Sequence, residues 1–150
     1  MRIGFFNNQI DERATWQTYL YAKYLRKYLG HSAVILYPAT PYSNTFPRPK
    51  WSRRFRSRLP WAKTRKTEFD QKMADRIARD GIPVEQIALD ADFGRVDAVH
   101  HVKSGENDGF IPRGTRYLVH AVFNASQPHG DRYVAVSPWL GRLQDRKSVV

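Results

Sequence analysis

Apolar residues open the chain in a nearly unbroken run, Ile3-Gly4-Phe5-Phe6, before the polar turn Asn7-Asn8-Gln9. A short continuous run closed by turn residues reads as a buried parallel strand. From Asp11 to Leu29 the period changes. Thr18, Tyr21, Ala22, Leu25, Tyr28 and Leu29 recur at three- and four-residue steps, which predicts a helix. Asp11 and Glu12 stand at its start, Arg26 and Lys27 near its end, and Gly30 follows, as the helix dipole and a glycine cap require. Ser32-Ala33-Val34-Ile35-Leu36-Tyr37 predicts a second strand, stopped by Pro38.

A proline-rich stretch covers about 38–63. A second helix is predicted over Thr64 to Asp80, with Phe69, Met73 and Ile77 on one face and Gly81 and Pro83 ending it. Residues 82–96 fit a short strand or a helical turn equally well. Asp97-Ala98-Val99-His100-His101-Val102, Tyr117-Leu118-Val119-His120-Ala121-Val122-Phe123 and Tyr133-Val134-Ala135-Val136 predict three further strands. Ser137-Pro138 then has the form of a helix start. Strands alternating with helices give an α/β fold with a mostly parallel sheet flanked by helices. Ligands on such sheets bind outside the carboxyl ends of the strands. Those ends are Asn7-Asn8-Gln9, Tyr37-Pro38, Lys103-Ser104-Gly105-Glu106, His120 to Asn124, and Ser137.

The chain's 150 residues suit one domain. The absence of cysteine excludes disulfides, thiolate metal sites and a cysteine nucleophile. It fits a reducing compartment. No run of about 18 apolar residues is present to span a membrane, and the first apolar run is too short for a signal peptide. The net charge is +11, and it is local. Arg48, Lys50, Arg53, Arg54, Arg56, Arg58, Lys63, Arg65 and Lys66 account for all but +2 of it, with no acid among them. Trp51, Phe55 and Leu59 would form one stripe of a short helix with the arginines around it, the pattern of an interfacial helix on an anionic membrane. A solvated surface loop reads the same residues equally well. Nucleic-acid binding, with the same arginines on phosphates and rings on bases, is a lesser alternative, because the charge is confined to one segment and no reading motif accompanies it.

The five histidines do not make a metal site. His100 and His101 are adjacent on a strand and point to opposite faces, and no carboxylate stands at ligand spacing. His120 lies late in an apolar strand, where a neutral imidazole can meet a hydroxylated ligand or simply be a satisfied interior group. Asn7 and Asn8 offer side-chain amides to a hydroxylated or phosphorylated ligand; the alternative is capping of the first helix by Asn8 or Asp11. Pro128-His129-Gly130-Asp131 has turn chemistry. Neither a Walker loop nor G-x-G-x-x-G follows the first strand, and G-x-S-x-G is absent.

The run Val96-Asp97-Ala98-Val99-His100-His101-Val102-Lys103-Ser104-Gly105 resembles the strand and turn in the amino-terminal half of some GT-B glycosyltransferases of the family 4, group 1-like type. So do Tyr117 to Phe123, Pro128-His129-Gly130-Asp131, and Tyr133 to Leu140. The resemblance implies a Rossmann-like amino-terminal domain over residues 1–150 that contributes the acceptor side of a hexosyltransferase-like reaction. A nucleotide-sugar donor would be held by a second, carboxyl-terminal domain, which this chain lacks, so half of a catalytic unit is expected. The resemblance implies that His120 touches the transferred sugar or orients the acceptor. Asn7, Asn8, Lys103, Ser104 and Glu106 would bind the acceptor, and no cofactor is expected. Trp51, Arg53, Arg54, Arg56 and Arg58 would contact an anion, a lipid-linked acceptor or a membrane, giving a cytoplasmic protein at the membrane periphery. A basic nucleic-acid-binding domain or a non-catalytic interaction domain is the alternative.

Overall fold

A computed structural model describes residues 1–39, 69–103, 107, 109–122 and 127–135. Chain order gives β1 (Arg2–Phe6), α1 (Glu12–Leu29), β2 (Ser32–Pro38), α2 (Gln71–Arg79), β3 (Val84–Ile87), β4 (Ala98–Lys103), β5 (Arg116–Ala121) and β6 (Arg132–Ala135). The six strands form one sheet in the order β3-β2-β1-β4-β5-β6. Every pairing is parallel. The expected α/β, Rossmann-like architecture is therefore present. The strand order runs outward from β1 in one direction and then, from β4, in the other, which puts the switch point between β1 and β4.

Local chemistry explains the element ends. Asp11 caps α1 by accepting from the Ala14 amide, and Gly30 closes it in the left-handed region at φ 64°. A side chain is strained in that conformation, which is why glycine stands there. The second helix is shorter than its period suggests. Asp70 accepts from the amides of Lys72 and Met73, so α2 begins at Gln71. Phe69 thus lies outside the helix, bridging to Ile10 and packing its ring 5.3 Å from that of Tyr37. Met73 and Ile77 are buried as expected, and residues 64–68 lie outside the described residues. The ambiguous 82–96 stretch divides into β3 and a turn-rich segment that buries Phe93 and Val96. The strand expected over 97–102 is observed as Ala98–Lys103, because Asp97 is spent at the strand entry, where its carboxylate accepts from the Arg2 amide at 2.6 Å.

The two faces of the sheet are covered differently. On one, α1 and α2 bury Ile3, Phe5, Tyr19, Ala22, Ile35, Met73 and Ile77. On the other, among the described residues, connections seal Phe6, Val34, Leu36, Phe93, Val99, Phe110, Tyr117 and Val119. Each such side chain contributes about 1.5–3 kcal/mol on burial. Gly4 sits where the second face is tightest. A Cβ there would stand 2.8 Å from the Leu36 side chain and 3.3 Å from Val96.

Candidate functional site

Two strand ends, one turn and one sheet face carry the chemistry. At the carboxyl end of β1, Asn7 is only 6% exposed. Its Oδ1 accepts from the Thr18 hydroxyl at 2.9 Å, which turns the side chain toward α1. Among the described residues its Nδ2 is buried without a hydrogen-bond partner, and so is the Oδ1 of Asn8. Buried polar atoms are almost always satisfied, so two orphans in consecutive residues at a strand end need an explanation. Helix capping is not the explanation, because Asp11 does that. The Asp11 carboxylate also accepts from the Gln9 side-chain amide, and the Asp11 backbone amide donates to the Thr15 hydroxyl. The carboxylate thereby occupies the positive end of α1, the place where a phosphate would otherwise be held.

Across the switch point, Lys103 ends β4 and is 2% exposed. It points to the face opposite α1. Its Nζ lies 3.2 Å from Nε2 of His129, whose Nδ1 approaches the Gln127 carbonyl at 2.6 Å. His129 belongs to the turn before β6, and its ring meets Tyr117 and Tyr133 at 6.1 and 5.7 Å. His101 lies on the same face and is bonded through Nδ1 to the Tyr117 hydroxyl at 2.9 Å. The sequence did not single out His129 as more than a turn residue. The signal available was its compact Pro-His-Gly setting immediately before a strand.

His120 stands elsewhere. It is beside Val102 on β4, on the α1 face, and stacks on Tyr21 at 5.9 Å with 17° between planes. His100 lies 5.6 Å away on the same face and also meets Phe5 and Tyr21 edge-on. The adjacent pair His100 and His101 thus points to opposite faces, as strand geometry requires. Burial, and secondarily the neighbouring His120, pushes the His100 imidazole down to about 4. Burial also lowers His120. Both are neutral at pH 7. The two imidazoles line a groove of about 530 Å³ with Ile3, Phe5, Leu118 and the Tyr21, Tyr24, Leu25, Tyr28 and Leu29 stripe of α1.

The structure therefore brings Asn7, Asn8 and Lys103 to the two sides of the switch point and leaves His120 in a side groove. Ser104 and Glu106 lie outside the described residues, as do Trp51, Arg53, Arg54, Arg56, Arg58 and Ser137. Among the described residues, no three acidic or imidazole side chains could hold a metal ion together, and no helix is long and apolar enough to cross a membrane. Compared with known proteins, the chain matches no family model, no curated sequence and no solved structure.

Proposed function

We propose that this Rossmann-like lobe binds a neutral, hydroxylated ligand at the β1–β4 switch point, and that it serves as the acceptor side of a glycosyl transfer. The observation that supports the reading most is the pair of unpartnered buried groups, Asn7 Nδ2 and Asn8 Oδ1, at that point of the sheet. One is a donor and the other an acceptor, the complement of a sugar hydroxyl. Asp11 at the positive end of α1 disfavours an anion there, so a polyol suits this turn better than a diphosphate. The glycine-rich turn that lets a backbone approach a pyrophosphate is also missing, since Asn7-Asn8-Gln9 stands in its place. In a transfer reaction the nucleotide-sugar donor would then be held by a second lobe, with the acceptor hydroxyl presented from this rim. Lys103, buried against His129 beyond the switch point, would hold the β4 end of that rim in place. His120 opens into the groove along α1 and has no part in the rim contacts.

The test is a titration of the chain with free hexoses, followed by the side-chain amide signals of Asn7 and Asn8. Saturable shifts in those signals are expected, with Asn7→Leu abolishing them. Shifts elsewhere only, or equal response to a nucleotide diphosphate, would remove the reading.

A further inference from the structure

The groove along α1 needs its own account, because nothing at the rim uses it. Among the described residues its lining contains no Asp, Glu, Lys or Arg, although the chain carries a net charge of +11. A charged ligand would leave water for this apolar bed without gaining a charged partner, which is costly. Its walls are flat rings. Tyr21 lies parallel to His120, and further along α1 Tyr24 lies parallel to Tyr28 at 5.8 Å with 23° between planes. Aromatic faces arranged in this way favour another ring laid against them. Between them Leu25, Leu118 and Ile3 give an apolar bed. The floor is not wholly apolar, since the Nδ1 of His100 finds no hydrogen-bond partner. A groove of about 530 Å³ lies within the range of small-molecule sites.

We propose that this groove binds a small, uncharged, planar aromatic molecule carrying one hydrogen-bonding group. The ring lies on the aromatic and apolar lining that Tyr21, Tyr24, Leu25, Tyr28 and Leu118 provide. The polar group meets the imidazoles at the floor. Two neutral imidazoles suit a hydroxyl, because each can donate from one nitrogen and accept at the other. The site is distinct from the strand-end turn at Asn7 and Asn8, which do not line it.

The test uses the full chain and 2-naphthol, with naphthalene-2-sulfonate as the charged ring of the same shape. Saturable binding of one equivalent of 2-naphthol is expected, with the ring-nitrogen signals of His100 and His120 shifting together in the wild-type protein. The sulfonate is expected to bind about tenfold more weakly or worse. Leu118→Trp, which fills the bed, should weaken 2-naphthol by about tenfold, equivalent to about 1.4 kcal/mol. The wild-type imidazole signals decide the matter even if that variant fails to fold. Unsaturable binding, unmoved imidazole signals or equal affinity for the sulfonate would overturn the site.

Discussion

The β1–β2–β3 half of the sheet and the β4–β5–β6 half use the same strands differently. In the first, α1 and α2 lie on one face, and Ile35 of β2 and Ile77 of α2 are 0% exposed between helix and sheet. In the second, the same face carries His100, Leu118 and His120 at the edge of an open groove. The difference teaches where stability and chemistry reside. The helix-covered half holds the fold, and the other is left room for polar side chains on its strands. The largest test of this is a pair of truncations read by urea unfolding. Ile77→Ala should cost about 4 kcal/mol, because α2 cannot collapse onto the lost volume. Leu118→Ala should cost about 1 kcal/mol, because its side chain is already partly exposed. Equal losses would mean that the open half carries as much of the core as the covered one.

Protonation probes the open half more finely. The His100 imidazole titrates at about 4 in the fold and near 6.5 when unfolded. Above pH 6.5 neither state binds the proton, and the full stability is present. As the pH falls from 6.5 toward 4, the unfolded chain takes up a proton that the fold refuses. Stability then drops by up to about 1.4 kcal/mol per pH unit, to a total near 3 kcal/mol. His120 is lowered by burial as well and contributes with the same sign. Unfolding measured from pH 7.5 to pH 4 should show this slope, and His100→Phe should flatten most of it. A slope that survives both that substitution and His120→Phe would place the acid sensitivity outside this histidine pair.

Much of this was legible in the residues. The apolar run at Ile3, the three-to-four spacing from Thr18 and the Gly30 stop gave β1 and α1 nearly to the residue, because local chemistry sets those ends. Phe69 misled the period, because a side-chain cap at Asp70 overrides a hydrophobic repeat that continues through it. Asn7, Asn8 and Lys103 were readable as strand-end residues, since position on a parallel strand suffices for that. Their separation from His120 was not, because which face a side chain takes depends on where the strand begins. β4 starting at Ala98 and β5 at Arg116 put Lys103 on one face and His120 on the other. His129 was hidden for a related reason. Its meeting with Lys103 crosses 26 positions and depends on the turn at Gly130 folding over β5.

The smallest effect concerns α1, the wall shared by both halves. Asp11 and Asp70 cap the two helices in the same way, so Asp11→Ala and Asp70→Ala should each cost about 1 kcal/mol. Their local consequences should differ. Among the described residues, the Asp70 carboxylate bonds only within its helix start, with Lys72 at 2.9 Å and Met73 at 3.5 Å, while its backbone amide donates to the Ile10 carbonyl at 2.7 Å. Asp11 also holds Gln9 and Thr15, and Thr15 in turn bonds the Gln9 carbonyl at 3.2 Å. Removing Asp11 should therefore loosen the turn that carries the two orphaned asparagine groups. Amide exchange at residues 7–9 should accelerate in Asp11→Ala and stay slow in Asp70→Ala. Asp11→Asn should keep both the cap and the slow exchange while losing the charge at the positive end of the helix. Binding of an anion to that turn should then rise, and if it does not, the carboxylate is only a cap and does not select for neutral ligands.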